Sequence, residues 1–119
     1  MKDKILISTG GSGGHVIPAI TIYDHLKNDY DIVISTDLRG VKYLENNIFK
    51  VFVIDTPKLN KSILIPFAIL KVIFLTLKSL FLLKKEKIQI LISTGGYMSL
   101  PLCLAAKILK IKIFLLEPN

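Results

Sequence analysis

Short apolar runs alternate along the chain with longer segments in which apolar residues recur at helical spacing. The short runs are rich in β-branched residues and end at glycine or polar residues, as buried strands of a parallel sheet do. They predict five strands, at residues 4–9, 31–36, 50–54, 88–94 and 111–116. The pattern predicts an α/β fold, a Rossmann-like doubly wound parallel sheet, in a single domain over residues 1–119.

The segment after the first strand predicts an amphipathic helix, and Pro18 marks a position where it can begin. Its apolar face would carry Val16, Ala19, Ile20, Tyr23 and Leu26. Its polar face would carry Asp24, His25, Lys27 and Asn28. Further helices are expected at residues 41–48, along the apolar segment 62–83, and from residue 101 to about residue 110.

One seven-residue stretch occurs twice. Residues 5–11 and residues 90–96 both read Ile-Leu-Ile-Ser-Thr-Gly-Gly, and an apolar helical pattern with a proline follows each copy. Glycines leave backbone N–H groups uncovered, and the N-terminus of a following helix adds its free N–H groups and its positive dipole end. If the two strands are neighbours where the strand order reverses, both turns face one crevice, which suits a diphosphate. The alternative is that both are only tight strand-to-helix turns.

The candidate phosphate contacts lie in and beside these two turns. They are Gly10, Gly11, Ser12, Gly13 and Gly14 in the first, and Gly95, Gly96, Tyr97 and Ser99 in the second. His15 lies where the first turn meets the helix. A neutral imidazole there can accept a proton from a bound hydroxyl, or it can only cap the helix or bind a phosphate. The sequence is compatible with both roles of His15.

Asp37 offers a competing interpretation, because it follows the second strand where dinucleotide-binding folds place a ribose-binding acid. A nucleotide- or dinucleotide-binding Rossmann module is therefore the alternative function. The glycines of the first turn do not fit G-x-G-x-x-G in any register, and they lack the Gly-Lys-Ser/Thr ending of a P-loop. Asp37 is accordingly interpreted as a loop or cap residue.

The net charge of +7 is concentrated in the middle of the chain, where residues 58–87 hold seven basic side chains and one acidic one. Lys71, Lys78 and Lys85 are seven residues apart and form one stripe on an otherwise apolar helix. Length permits a membrane span, but each central lysine costs about 2.5–3.5 kcal/mol on insertion. Apolar side chains beside lysines favour a helix that lies on an anionic leaflet. A core helix with a solvated lysine stripe is the alternative, and the absence of interleaved arginines or stacking aromatics disfavours nucleic acid.

The membrane-contacting residues are predicted on that helix: Phe67, Leu70, Lys71, Phe74, Lys78, Phe81 and Lys85. Cys103 is the single cysteine and lies in an apolar run, which predicts a buried core thiol in a reducing cytoplasm. The first residues have no long apolar region or cleavage site, so no export signal is expected. No motif calls for a metal ion or another cofactor.

In these motifs the chain resembles the N-terminal, acceptor-side domain of the MurG family of GT-B glycosyltransferases. The resemblance covers essentially the whole chain. Residues 10–19, Gly-Gly-Ser-Gly-Gly-His-Val-Ile-Pro-Ala, resemble the first glycine loop of the family, which usually has threonine in place of Ser12. Residues 95–101 resemble the second loop, in which a glycine often stands in place of Leu100. Residues 117–119 resemble a His-Glu-Gln-Asn motif, with departures at Leu116 and Pro118.

The resemblance implies a hexosyltransferase that moves GlcNAc from UDP-GlcNAc to undecaprenyl-diphosphate-linked muramyl pentapeptide in peptidoglycan biosynthesis. It implies that the glycine loops hold the lipid diphosphate, that His15 is a base or an acceptor contact, and that Glu117 and Asn119 bind substrate. It also implies peripheral docking on the cytoplasmic face of the bacterial inner membrane. In this family UDP-GlcNAc binds mainly to a second domain, which these 119 residues do not include. We therefore expect the chain to be inactive unless a longer chain or a partner chain supplies the donor half.

Overall fold

The structure is a computed structural model, and it describes residues 3–9, 13–44, 50–53, 65–94 and 100–116. Five strands alternate with helices, as the sequence pattern predicts. In chain order the elements are β1 (Lys4–Ser8), α1 (Gly13–Leu26), β2 (Asp31–Thr36), a 3-10 helix (Val41–Leu44), β3 (Val51–Val53), α2 (Ile65–Lys85), β4 (Ile90–Ser93), α3 (Leu100–Ile108) and β5 (Lys112–Leu115).

The strands form one sheet in the order β3-β2-β1-β4-β5, and every neighbouring pair is parallel. Strand order therefore reverses between β1 and β4, which lie side by side in the middle of the sheet. This confirms the prediction of a Rossmann-like doubly wound parallel sheet. Ligands of such sheets bind outside the carboxyl ends of the strands at the point of reversal, so the fold itself indicates where a site would lie.

Helices cover both faces of the sheet, because the central strands are apolar on both sides. On one face, α1 packs its buried residues Val16 and Ala19 against Ile5, Ile7 and Ile34 of the sheet. On the other face, α2 and α3 pack against alternate strand residues, namely Leu6, Val33 and Leu91. The two residues of α1 belong to its predicted apolar face, and the predicted polar residues of that helix are exposed.

Helix α1 begins earlier than Pro18 suggested. It starts at Gly13, so Pro18 is its sixth residue. A proline has no N–H, and it therefore leaves the carbonyl four residues earlier without its helical partner. That carbonyl belongs to Gly14, still in the first turn. The proline thus removes one hydrogen bond that would otherwise join the first and second turns of the helix.

Two other predictions change in detail. The helix expected over residues 41–48 is a 3-10 helix at Val41–Leu44, and residues 45–49 lie outside the described residues. Cys103 is half-buried rather than fully buried, and burial raises the pKa of its thiol. The cysteine lies beside the core that α2 and α3 share, so it still acts as an apolar packing residue.

Helices α2 and α3 end in the same way, with a lysine in the left-handed backbone region. At the end of α2, Lys87 has φ 55°, and its N–H donates to the carbonyl of Lys84. The next N–H, that of Ile88, donates to the carbonyl of Leu83, which completes a Schellman motif. Lys110 has φ 59° and occupies the equivalent position after α3. Both helices are thereby turned directly into the strands that follow them.

An ion cluster at the amino edge of the sheet joins the end of α2 to β1 and to the residue before β3. The Glu86 carboxylate accepts hydrogen bonds from Lys4 Nζ at 2.9 Å and from Lys50 Nζ at 2.8 Å. Its side chain is only 11% exposed. The ammonium groups of Lys50 and Lys4 hold the pKa of this carboxyl below its ordinary value. Because Lys4 begins β1 and Lys50 precedes β3, the cluster fixes the end of α2 against the sheet.

Candidate functional site

The two copies of the repeated stretch lie next to each other in the sheet. Ile5 pairs with Ile90, Leu6 with Leu91, Ile7 with Ile92, and Ser8 with Ser93, so identical residues face each other along the β1–β4 pair. The repeat is therefore a spatial one as well as a sequence one. The strand ends that precede the two glycine-rich segments, Ser8 and Ser93, therefore lie side by side at the carboxyl edge of the sheet.

Backbone hydrogen bonds hold the strand ends at this edge. The N–H of Thr9 donates to the carbonyl of Ser35 at 2.8 Å, and the N–H of Thr94 donates to the carbonyl of Ser8 at 3.0 Å. The N–H of Leu116 donates to the carbonyl of Ser93 at 2.8 Å. The ladder thus continues past the formal end of each strand. Both turns start from a backbone whose position is determined by the neighbouring strands.

Buried hydroxyl groups line the same edge. The Thr94 hydroxyl donates a hydrogen bond of 2.7 Å to that of Thr9, and Thr94 and Thr9 are both fully buried. A third serine-threonine pair, Ser35 and Thr36, ends the neighbouring strand β2 and is also buried. Ser35 pairs with Ser8, so three strand ends carry equivalent serines in one row.

Sequence reasoning did not identify this third pair. The signal was present, because Ile-Ser-Thr occurs at residues 7–9, 34–36 and 92–94. Thr36 differs from its two counterparts, since its hydroxyl is buried and has no hydrogen-bond partner within the described part of the chain. An unpaired buried hydroxyl costs stability, which makes Thr36 a distinct feature of this edge.

Two helices begin at the carboxyl edge from opposite faces of the sheet. Helix α1 starts at Gly13 on one face, and α3 starts at Leu100 on the other. The first N–H groups of each helix have no partner within the helix, and the helix dipole adds positive potential there. The arrangement of two helix N-termini at a strand-order reversal is suited to an anion.

The predicted phosphate contacts fall at or beyond the limits of the described residues. Gly13, Gly14 and His15 are the first three residues of α1, and the side chain of His15 is not described. The remaining candidates lie outside the described residues: Gly10, Gly11, Ser12, Gly95, Gly96, Tyr97, Ser99, Glu117 and Asn119. The structure therefore brings together the elements that carry these residues, and their individual roles stay predictions.

The Asp37 carboxylate contacts groups of its own loop. Its carboxylate Oδ1 accepts a hydrogen bond from the N–H of Gly40 at 2.9 Å, and its Oδ2 lies 3.5 Å from Arg39 Nε. The Asp37 side chain is only 3% exposed. A carboxylate bound to the backbone three residues later closes a turn. These contacts match the interpretation of Asp37 as a loop residue. They leave little of its carboxylate accessible to a ribose.

The second candidate surface is the outer face of α2. The helix buries one stripe against the sheet and α3, consisting of Val72, Leu75, Ser79 and Leu83. The opposite face is apolar and exposed: Phe67 is 72% exposed, Phe74 64% and Phe81 67%. Leu70 and Leu77 extend the same face. We call this surface the α2 outer face, defined by Phe67, Leu70, Phe74, Leu77 and Phe81.

The predicted lysine stripe runs beside the α2 outer face. Lys71, Lys78 and Lys85 are all exposed, and at 3.6 residues per turn they lie on the same flank of the helix. Soluble proteins rarely expose a large contiguous apolar surface except where they contact a protein, a membrane or a ligand. Within the described ranges, no helix is both long enough and apolar enough to cross a membrane.

The sequence matches one protein-family model and several curated proteins. The model of the glycosyltransferase family 28 N-terminal domain matches residues 5–119. The chain is 52% identical, over all of its length, to the UDP-N-acetylglucosamine–N-acetylmuramyl-(pentapeptide) pyrophosphoryl-undecaprenol N-acetylglucosamine transferase of Pelagibacter ubique (strain HTCC1062). It is 37% identical to the protein of the same name from Caldicellulosiruptor saccharolyticus, over 98% of the chain. The chain spans 34% and 33% of these two relatives.

Solved structures show the same fold. The chain matches MurG of Acinetobacter baumannii with a TM-score of 0.80 and 22% identity, over 95% of this chain and 34% of that one. It matches a UDP-N-acetylglucosamine 2-epimerase with a TM-score of 0.71 and 16% identity, over 97% of this chain and 33% of that one. At these identities the likeness establishes the architecture. In both cases the chain corresponds to about a third of the solved protein.

Proposed function

The chain belongs to the family of glycosyltransferase family 28 N-terminal domains, and from this membership we propose that it is the acceptor-binding domain of a MurG-type hexosyltransferase. The reaction is transfer of GlcNAc from UDP-GlcNAc to undecaprenyl-diphosphate-linked muramyl pentapeptide, which converts lipid I to lipid II in peptidoglycan biosynthesis. The name of the relative that is 52% identical supports this substrate pair. The site at the carboxyl edge supports it independently, because its chemistry suits a diphosphate.

One observation carries the proposal: the in-register pairing of β1 and β4 at the reversal of strand order. It brings together the two strand ends that precede the glycine-rich segments, and two helix N-termini begin at the same edge of the sheet. Backbone N–H groups of Gly10–Gly14 and of Gly95 and Gly96 donate to the diphosphate oxygens. The hydroxyls of Ser12, Tyr97 and Ser99 add contacts to the same group. Four or more donors around one diphosphate stabilise its negative charge through charge-assisted hydrogen bonds, and the proposal includes no metal ion or other cofactor.

His15 acts on the acceptor in this proposal, since it lies in the first turn of the helix that borders the diphosphate. In one role its neutral imidazole accepts the proton of the acceptor hydroxyl as that oxygen attacks the anomeric carbon of GlcNAc, while the bond from that carbon to the diphosphate breaks and UDP leaves. In the other role it donates a hydrogen bond to a phosphate oxygen. Glu117 and Asn119 follow the last described strand, β5, which lies next to β4, and we assign them contacts to substrate.

The donor sugar nucleotide binds elsewhere. The chain spans about a third of the curated relatives that it matches. We assign UDP-GlcNAc to the part of the relatives that the chain does not match, supplied by a longer chain or by a partner polypeptide. The 119 residues by themselves then bind acceptor and do not transfer sugar.

The α2 outer face brings the domain to its lipid-linked substrate. Its five large apolar side chains enter the interface of the cytoplasmic leaflet of the inner membrane, while Lys71, Lys78 and Lys85 meet anionic head groups. Burying one phenylalanine contributes about 1.5–3 kcal/mol, so several together suffice for peripheral binding. No nucleic acid is involved.

A titration of the 119-residue chain with a soluble undecaprenyl-diphosphate analogue tests the acceptor site, with NAD and UDP-GlcNAc as comparison ligands. We expect saturable binding of the diphosphate lipid and weaker binding of both nucleotides. Gly14→Ala should weaken lipid binding at least tenfold, since a methyl group enters the anion site. Asn28→Ala, an exposed change beyond the end of α1, should leave it unchanged. Tight NAD binding without lipid binding would instead favour the dinucleotide-binding module.

Sedimentation with vesicles tests the membrane face. The chain should bind vesicles that contain anionic lipid, and high salt should weaken this binding without abolishing it, because salt screens the lysines but not the apolar contacts. Phe74→Asn should reduce binding about tenfold or more. Phe114→Asn is the matched control, because Phe114 is an exposed phenylalanine on β5, outside the α2 outer face. Equal losses for the two variants would contradict a specific docking face.

A further inference from the structure

A cavity lies between the edge strand β3 and helix α2. Its volume is about 350 Å³, at the lower end of the range of about 300–1,000 Å³ found for small-molecule sites. Phe52 and Val53 line it from the strand. Lys78, Phe81, Leu82 and Lys85 line it from the helix. We call it the β3–α2 pocket.

Among the residues that the structure describes, neither Lys78 nor Lys85 of the β3–α2 pocket has a carboxylate partner. Glu86 follows Lys85 directly in the sequence, and Lys4 and Lys50 already occupy its carboxylate. The two pocket lysines are about 10.5 Å apart along the helix axis, and their flexible stems let both ammonium groups reach one anion. The pocket therefore selects a negatively charged ligand.

The remaining wall is apolar and only partly covered. Phe81 is 67% exposed, and Lys85 Nζ lies 6.0 Å from the centre of its ring. Phe52 and Leu82 are half-buried beside it. A small inorganic anion would contact the two lysines but would leave the apolar wall exposed to water. A ligand that carries both a negative charge and an apolar part satisfies the two halves of the pocket together.

The position of the pocket indicates the source of such a ligand. Phe81 belongs to the α2 outer face, and Lys78 and Lys85 form the stripe beside it, so the pocket opens along the flank of the proposed membrane face. A docked α2 places the pocket at the depth of the lipid head groups. We propose that the β3–α2 pocket binds one anionic phospholipid, with its phosphate between Lys78 and Lys85 and its first acyl methylenes against Phe81 and Leu82.

This inference rests on the membrane docking proposed above and makes it specific. Docking by the outer face alone is a distributed attraction that any anionic leaflet satisfies. An occupied pocket adds a saturable site with a preference for the head group. The site is also separate from the acceptor site, because it is at the edge strand β3 while the acceptor site is at the β1–β4 pair.

Short-chain lipids below their micelle concentration separate the pocket from the membrane surface. The probe is dihexanoyl phosphatidylglycerol, compared with dihexanoyl phosphatidylcholine, with glycerophosphoglycerol and with inorganic phosphate, and binding is followed by amide chemical shifts. We expect one-site binding of the phosphatidylglycerol, with the largest shifts at Phe52, Val53 and Leu82. The phosphatidylcholine, the head group alone and inorganic phosphate should each bind at least tenfold more weakly. Equal binding of any of the three would overturn the proposal.

Variants with matched charge complete the test. Lys78→Gln/Lys85→Gln should weaken phosphatidylglycerol binding at least tenfold. Lys84→Gln/Lys107→Gln removes the same charge from exposed positions outside the pocket and should change binding less than twofold. Equal effects of the two double variants would refute a specific pocket. Vesicle binding without short-chain lipid binding would overturn the pocket and leave the docking face standing, whereas the reverse would remove the docking face alone.

Discussion

The Thr94 hydroxyl donates a hydrogen bond of 2.7 Å to the Thr9 hydroxyl, across 85 residues of sequence, and both side chains are fully buried. This bond joins the two strand ends from which the glycine turns leave the sheet. In the proposed acceptor site, the two glycine-rich segments bind one diphosphate and so need a fixed separation. The threonine pair connects the two strand ends that precede these segments.

A double-mutant cycle measures this connection. Thr94→Val removes the partner of the buried Thr9 hydroxyl and should lower the free energy of unfolding by about 1–3 kcal/mol. Thr9→Val/Thr94→Val removes both hydroxyls and should cost less than the sum of the two single changes. Urea unfolding of the four proteins gives the coupling energy. Additive costs would mean that the two hydroxyls do not depend on each other.

Thr36 should respond to the same substitution with the opposite sign. Its buried hydroxyl has no hydrogen-bond partner among the residues that the structure describes, so Thr36→Val removes an unsatisfied polar group without changing the shape of the side chain. We expect the free energy of unfolding to rise by about 1 kcal/mol. Thr94→Val, the equivalent change on β4, serves as the control. A loss of stability in both would indicate that Thr36 has a partner in solution.

Glu86 predicts a pH dependence of stability. Lys50 and Lys4 lower the pKa of this carboxyl from its ordinary value of 4.5, so the folded state binds its proton less readily than the unfolded state does. The stabilisation is complete above the unfolded pKa and is lost as the pH falls through the folded pKa. Glu86→Gln should cost about 0.5–1 kcal/mol at neutral pH, and its difference from the parent protein should shrink below about pH 4.5.

Urea unfolding at a series of pH values between neutrality and pH 3 checks this prediction. Asp24→Asn is a suitable control, because its pair with Lys27 is exposed and 3.7 Å long. That variant should stay within a few tenths of a kcal/mol of the parent at neutral pH. If Glu86→Gln behaves in the same way there, the cluster does not contribute to stability.

A substitution at Lys110 is expected to stabilise the folded protein. Its φ of 59° is unfavourable for a residue with a Cβ atom and free of that penalty for glycine. Lys110→Gly should raise the free energy of unfolding by about 0.5–1 kcal/mol. Lys107→Gly makes the same replacement inside α3 and should lower it by about 1 kcal/mol. Thermal unfolding of the two variants distinguishes the effect of backbone conformation from the loss of a lysine.

His15 should affect turnover in an active assembly. The measurement uses the chain fused to, or combined with, a MurG-type donor domain. A general base predicts that His15→Ala lowers kcat by about 10²–10⁴ with acceptor binding nearly intact. A phosphate contact predicts that the loss falls on acceptor affinity. Unchanged kcat and unchanged affinity would place the acceptor site elsewhere.

The sequence by itself determined the local structure of this protein, because strands and helices have short periods that are visible in the order of apolar residues. It placed β2 at Asp31–Thr36, as the structure has it, and it placed every described strand within two residues of its observed ends. It also identified the lysine stripe and the repeated stretch. The start of α1 was the exception, because Pro18 is compatible with a position inside the helix as well as with its first turn.

Only the tertiary structure decided which of these elements meet. The order of strands, and with it the pairing of residues 5–8 with residues 90–93, depends on contacts across more than 80 residues, which no local period encodes. The same holds for the Thr9–Thr94 bond and for Glu86 with Lys4 and Lys50. A hydroxyl or a carboxylate acquires its role from the partner that packing brings to it. The sequence therefore identified the candidate residues, whereas the fold determined that the two distant copies of the repeated stretch lie side by side in the sheet.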